Sequence, residues 1–353
     1  MPNAPKPQFK EQKMSKPSLY NAIRDHDFSE TTCFLCGSDV ENNMKSREHV
    51  FPKWLLHHFG LWDKPMTLLN GTRLAYRQLV IPCCQTCNNE CLSGIEQEVQ
   101  ERFIIGAAEV ASMDRGRLLV WVLKIFYGLL YRELFLSLDR REPGAGNIVS
   151  AEDMEQFQLL HLILQSCRVP MQFSIMESDI PASLFVFEVQ EPANADIRFD
   201  YKDDIANRTM YLRLGGVGIL AAFDMGAQTF AGTGFFSRYQ GHPLHPVQFG
   251  ELGANLFMKA RVFNRTPKVL IGESPQGVNF SVLSMAGLSS TPVFGTWEAE
   301  DMAEMLMFFL GYSLEEVMPV EGRNATWLED SDGSLRFISM DTPPWITPIE
   351  ASL

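Results

Sequence analysis

The rhythm of apolar and polar positions changes twice along the chain. Residues 1–28 carry prolines and lysines in clusters (Pro2, Pro5, Pro7, Lys13, Lys16, Pro17) and no apolar period, the texture of a tail. From Thr31 to about Gln100, apolar positions are scattered among cysteines. The pattern there predicts a turn at Cys33-Phe34-Leu35-Cys36-Gly37, a short strand near Glu48–Phe51 and a helix near Trp54–Phe59. A further helix begins after Cys87, with Leu92, Ile95 and Val99 at i, i+3 and i+7. Residues 101–168 read as helical. Leu118–Leu138 is apolar almost all round, as in a helix buried in a core or one that crosses a membrane. Lys124 within it, Gly128, and Arg132-Glu133 favour the core, because a charge at that depth in lipid costs a few kcal/mol. A second helix is predicted from about Ala151, N-capped by Ser150, to Cys167, closed by Pro170.

After Met171 the texture becomes that of strands. Ser183–Gln190, Asp196–Tyr201, Thr209–Leu214 and Gly218–Phe223 are punctuated by Pro192–Asn194 and Gly215-Gly216. An amphipathic helix follows near Val247–Phe263, then strands near Lys268–Ile271 and Asn279–Leu283. The last predicted helix runs from about Glu298, capped by Thr296, to Leu310. The pattern thus predicts an α+β multidomain protein. Its parts are a disordered tail (1–28), a cysteine-rich module (29–100), a helical middle region (101–170) and a C-terminal α+β domain (171–353) with mainly antiparallel strands.

Composition narrows the function classes. The chain has 353 residues, 46% hydrophobic and 21% charged, which excludes a wholly disordered chain and a coiled coil. Residues 1–20 lack an apolar signal core, so a cytoplasmic location is expected, where clustered cysteines hold metal more readily than they form disulfides. The formal net charge of −13 argues against a protein coated in a nucleic-acid-binding surface, but the charge is uneven. Residues 1–89 hold 11 Lys and Arg against 8 Asp and Glu, whereas the remainder holds 19 against 35. Six of the seven cysteines fall between Cys33 and Cys91, in or beside that basic quarter.

Cys33-x-x-Cys36 and Cys84-x-x-Cys87 present two pairs of thiolates at the spacing that tetrahedral zinc takes. Four protein ligands close such an ion to water, so its role would be structural, clamping a loop-rich segment too small to fold on its own core. Cys83 and Cys91 flank the second pair and leave its register open. Tight-turn geometry favours Cys84 with Cys87, leaving Cys83 and Cys91 as small buried apolar residues.

Between the pairs stands Arg47-Glu48-His49-Val50-Phe51-Pro52-Lys53-Trp54, and directly after the second pair comes Asn88, then Leu92-Ser93-Gly94-Ile95-Glu96. This order resembles the zinc-containing HNH (ββα-metal) endonucleases, in particular the endonuclease VII-type resolvases and McrA-like restriction enzymes. The resemblance covers about residues 30–100. It implies a zinc-stabilised ββα-metal module that hydrolyses phosphodiester bonds, in DNA before RNA. It implies that His49 is the general base and that Asn88 and Glu48 ligate one catalytic divalent ion, Mg²⁺ or Mn²⁺. Adjacent strand residues face opposite sides, so Glu48 and His49 share a site only at a strand end or bulge; otherwise Glu48 acts from behind the ligands. Such modules fused to other domains suit regulated nucleases of restriction or antiviral defence.

The sequence departs from the family in two respects. Where many HNH enzymes carry a middle asparagine, Gln78-Leu79-Val80-Ile81-Pro82 stands; the nearest, Asn70 before Gly71, reads as a turn. The long interval between His49 and Cys84 makes room for the inserted helix, on whose surface His57 and His58 fall. Lys45, Arg47, Lys53, Arg73 and Arg77 are candidates for phosphate contact. His242-Pro243-Leu244-His245-Pro246 reads as an extended loop and Gly215-Gly216-Val217-Gly218 as a strand-joining turn. The partners expected are nucleic acid and no membrane, with the C-terminal domain binding a regulatory ligand, a protein or a second copy of the chain. The competing class is a non-catalytic zinc-knuckle adaptor that binds nucleic acid or protein; an RNA nuclease is a third reading.

Overall fold

The computed structural model describes residues 18–25, 28–40, 46–139, 141–175, 179–231, 234–283 and 290–340. The chain is α+β with antiparallel-rich sheets. In the cysteine-rich module, β1 (Ser46–His49) pairs antiparallel with β4 (Val80–Cys83), Glu48 opposite Ile81 and His49 opposite Val80. Strand β1 thus lies two residues before the stretch predicted, because Val50 N bonds Leu79 O and the chain then bends into α1 (Lys53–His58). A hairpin of β2 (Pro65–Thr67) and β3 (Arg73–Ala75) fills the rest of the long interval. After the second cysteine pair the chain makes a π-helical turn over Cys87–Leu92 and continues as α2 (Ser93–Ile105). Leu92, Ile95 and Val99 are buried, the face the spacing predicts.

The apolar run becomes α3 (Arg115–Glu133), N-capped by Asp114, whose side chain accepts from Arg117 N at 2.9 Å. It is buried nearly all round, and among the described residues no helix is long and apolar enough to cross a membrane. Gly128 faces the β1–β4 ribbon: a Cβ there would stand 3.4 Å from Ile81 and Val50 side-chain atoms, at the limit of van der Waals contact, so a methyl just fits and a longer side chain has no room without a shift. Ser150 caps the next helix as expected, in a capping box with Asp153. The helix is broken, however, because Phe157 leaves helical geometry (φ −104°, ψ 9°) to pack on Phe126 before α4 (Gln158–Leu164) starts. Residues 18–25, at the end of the stretch read as a tail, dock here. Gln165 accepts from Tyr20 N at 2.8 Å and donates to Tyr20 O at 2.7 Å.

Strand β5 (Met171–Ile175) was not visible in the pattern and pairs parallel with the distant strand Gly277–Val282. The four-stranded sheet has the order β6 (Ser183–Glu188), β9 (Val217–Ala222), β8 (Thr209–Leu214), β7 (Phe199–Asp204), antiparallel throughout. Strand β7 begins three residues late because the Asn194 side chain accepts from Asp196 N and turns the chain first. Gly215-Gly216 joins β8 to β9, as predicted. Helix α5 (Pro246–Arg261), the hairpin β10 (Val269–Ser274) with β11 (Gly277–Val282), and α6 (Ala299–Leu310) complete the order; Glu298, not Thr296, stands at the N-cap of α6.

Both faces of the four-stranded sheet are buried, and each serves a different core. Leu184, Val186, Met210, Leu212, Ile219 and Ala221 join the cysteine-rich module and α3 in one apolar cluster. Phe185, Phe187, Tyr211, Leu220 and Ala222 pack under α5 and α6 in a second. The module therefore does not rest on a core of its own.

Buried His161 on α4 links these parts: its Nε2–H donates to Phe34 O at 2.8 Å and its ring stacks on Tyr127. Burial pushes its pKa down to about 4, from 6.5. The unfolded chain therefore binds this proton first as pH falls, so stability is full above about pH 6.5 and is lost as pH drops toward 4. His161→Gln is expected to flatten that part of the melting temperature–pH profile; equal acid slopes in variant and parent would count against the assignment.

Candidate functional site

Two turns 48 residues apart in sequence meet through sulfur. In the first, Cys33 N bonds Ser38 O, Gly37 N bonds Cys33 O, and Phe34 N bonds Pro82 O of β4. Gly37 sits at φ +73° with its α-carbon against the Tyr20 ring; a Cβ would come within 2.3 Å of that ring, so the turn requires glycine. In the second, Cys84 follows directly on β4, Asn88 N bonds Cys84 O, and Cys87 N approaches Cys84 Sγ at 3.4 Å. The sulfurs of Cys33, Cys36, Cys84 and Cys87 lie within 4.8 Å of one another, with Cys36 and Cys84 at 3.6 Å. A tetrahedral zinc with Zn–S distances of about 2.3 Å separates its sulfurs by about 3.8 Å, so the four can hold such an ion.

The register left open in the sequence is settled by these positions. Cys83 points into the core beside Cys33, and Cys91 faces Cys167 from the middle region. Hydrogen bonds from Cys33, Cys36 and Cys87 push Cys84 far below the ordinary thiol range. A divalent cation would hold all four sulfurs as thiolates.

Strand β1 separates the other candidates by its pleat. Glu48 faces inward and is 6% exposed. Its carboxylate meets the Lys124 ammonium of α3 at 2.5 Å, and the same ammonium meets Glu96 of α2 at 2.5 Å and donates to His49 O at 2.7 Å. Burial, and then Glu96, push the Glu48 carboxyl upward, while Lys124 opposes them. Burial alone would lower Lys124, but Glu48 and Glu96 outweigh it and hold the ammonium protonated. Asn88 lies against the same inward side of β1, donating from Nδ2 to Ser46 Oγ at 2.8 Å; its Oδ1 takes no protein partner among the described residues.

His49 leaves on the opposite side of β1. Its ring stacks on Trp62 at 5.7 Å, and His57 stacks on Trp62 at 4.7 Å. Burial, and then the cations Lys53 and Lys124, push its pKa down to about 4, which keeps the imidazole neutral and able to accept a proton at neutral pH. Glu48 and His49 thus diverge as the alternation of a strand requires. Among the described residues, no side-chain hydrogen bond joins His49 to Glu48 or to Asn88.

Arg47, Lys53, Arg73 and Arg77 are exposed, and Arg77 pairs with Asp63 at 2.6 Å. Lys45 lies outside the described residues. His57 and His58 are exposed on α1, as expected of its surface. Asn70 is a turn residue that donates to Ser137 O and Leu138 O and accepts from Thr72 N. His245 caps α5, accepting from Val247 N. The residues that the sequence reading missed are Glu96, Lys124 and Trp62. A signal existed for Lys124: a cation inside an apolar run that stays out of a membrane has to meet a buried carboxylate.

Two outcomes follow. Metal analysis is expected to return one zinc per chain, and Cys36→Ser or prolonged chelation to lower the melting temperature; metal-free protein with unchanged melting would remove the ion. Lys124→Met is expected to cost about 3–5 kcal/mol in denaturant unfolding by stranding two carboxylates, with part of the loss recovered on adding Glu48→Gln and Glu96→Gln. A neutral Lys124→Met would show that the ammonium does not hold the joint. No family model, curated protein or solved structure matches this chain.

Proposed function

We propose that the cysteine-rich module is an HNH-type endonuclease that hydrolyses phosphodiester bonds in DNA, with the C-terminal region acting as its regulatory or recognition part. The observation that carries the reading is the placement of Asn88. It follows the last cysteine of a four-sulfur cluster and is laid by that cluster against β1, the strand that ends in Glu48 and His49. A ribbon of two antiparallel strands followed by a helix matches the element order of the family that the motifs resemble.

The oxygen donors fit a hard divalent cation such as Mg²⁺ or Mn²⁺ in kind: the Asn88 Oδ1, which has no protein partner among the described residues, and the Glu48 carboxylate on the same side of β1. Lys124 holds that carboxylate, so ion and ammonium must share it. Such an ion supplies neutralisation of charge at the phosphate and the leaving oxygen. The chain's own part is different. The oxygen donors stand on one side of β1 and half-exposed His49, neutral and braced on Trp62, on the other, so in this reading His49 accepts the proton of the attacking water across the end of the strand. Arg47, on its side of β1, and Lys53, at the head of α1, offer cations for the backbone of the substrate.

The Lys124–Glu48 pair is also what favours the second reading, an adaptor that binds nucleic acid or protein without cutting it, since a carboxylate neutralised by an ammonium has less to give a metal. Plasmid DNA, single-stranded RNA and double-stranded RNA, each with and without Mg²⁺ or Mn²⁺, decide between them. Metal-dependent cleavage of DNA is expected, lost on His49→Ala and on Asn88→Ala while melting temperature is kept. Cleavage of RNA alone would move the substrate assignment, and cleavage that survives His49→Ala would remove the base. Absence of cleavage on every substrate, with retained binding, would establish the adaptor.

A further inference from the structure

Two turns of the C-terminal sheet carry backbone strain. Among the described residues, Arg208 (φ +54°) and Met225 (φ +59°) are the only non-glycine residues with positive φ. Side chains other than glycine, asparagine and aspartate rarely adopt that region, and such residues concentrate where a ligand is gripped. The two are neighbours in space: Phe223 N bonds Arg208 O at 2.9 Å, and both line one crevice of about 220 Å³ beside α4 and the end of α5. The strain at Met225 is held by Asp224, whose carboxylate accepts from Ser183 Oγ, Gly226 N and Gln228 N. Asp224 is therefore saturated by its own turn.

Two polar groups at this crevice are left over. The Arg208 guanidinium lies 5.7 Å over the Phe157 ring and pairs with no carboxylate among the described residues; burial alone lowers it. A guanidinium that is partly desolvated and uncompensated calls for an anion. Gln228 is 1% exposed, and its Nε2 donates to Leu256 O, yet its buried Oε1 has no partner among the described residues. A buried acceptor without a donor calls for an N–H or O–H. The walls between these groups are Phe223, Phe263 and Phe294, which suit a flat apolar ring.

We propose that this crevice binds a small planar organic anion, its charge on Arg208, its ring among the three phenylalanines, and an N–H in or on the ring donating to Gln228 Oε1. Aromatic acids with a ring N–H and nucleoside monophosphates share this chemistry; the small volume favours the former. This site is independent of the nuclease reading.

Calorimetric titration of the full chain with indole-3-acetate, adenosine monophosphate, indole and acetate tests it. Indole-3-acetate is expected to bind, with indole and acetate at least tenfold weaker. Arg208→Gln is expected to weaken binding at least tenfold and Gln228→Leu several-fold. Arg208→Gly, which relieves the strain and removes the charge, should abolish binding yet raise the melting temperature of the ligand-free protein, showing that the fold persists. Binding of adenosine monophosphate with the same dependence on Arg208 would keep the site and move its source to nucleotides. No binding of either acid, binding unchanged in Arg208→Gln, or acetate as tight as indole-3-acetate would overturn the proposal.

Discussion

One buried ammonium organises the cysteine-rich module. Lys124 stands in the middle of α3, and its charge is answered by Glu48 from β1, Glu96 from α2 and the carbonyl of His49. In a medium of low polarisability such a contact tolerates little displacement, because each partner left alone would be a buried charge. Helix, strand and second helix are therefore locked at one relative position. Gly128, one turn after Lys124 on the same face of α3, leaves room for Val50 and Ile81 to pack against the helix. The helix approaches closely at Gly128 because it has nothing to place there, and closely at Lys124 because it has a charge to satisfy.

The sulfur cluster works at the other edge of the same ribbon. It ties the end of β4 to the Cys33–Cys36 turn, and His161 of α4 bonds Phe34 within that turn. The π-helical turn over Cys87–Leu92 follows at once. In a regular helix, residues seven apart share a face; one residue inserted by a π turn makes the interval eight, which is the interval from Asn88 to Glu96. Asn88 meets Ser46, and Glu96 meets the Lys124 ammonium beside Glu48, so both residues bear on the side of β1 that carries Ser46 and Glu48. The irregular turn is thus what aligns both oxygen-bearing side chains with the inward side of β1.

The four-stranded sheet binds these parts to the rest of the chain. Its strands carry apolar residues on both faces, and one face completes the core of the cysteine-rich module while the other meets α5 and α6. Two bodies that share a sheet cannot separate without exposing it, which gives the C-terminal half a physical hold on the module. The strained turns at Arg208 and Met225 sit at the end of the same sheet, so a ligand there would act on strands that belong to both cores.

The sequence by itself determined those features whose causes are local. The cysteine pairs, the Ser150 cap, the Gly215-Gly216 turn and the buried stripe of α2 depend on residues within a few positions of one another, and each stands where the pattern placed it, as does the apolar run that became α3. The α+β class and the antiparallel sheet followed from the same periodicities. Only the tertiary structure decided which cysteines gather, that β5 joins a sheet through a distant parallel partner, and that a helix-breaking Phe157 is worth its contact with Phe126. It alone decided where Glu48 and His49 go. Their adjacency in sequence reads as one site, but the pleat sends them to opposite sides, and what each then meets comes from segments remote in sequence: Lys124 and Glu96 for one, Trp62 for the other. A linear pattern records which residues are neighbours along the chain; partners for buried charge are chosen by the packing of elements whose order in space the pattern does not contain.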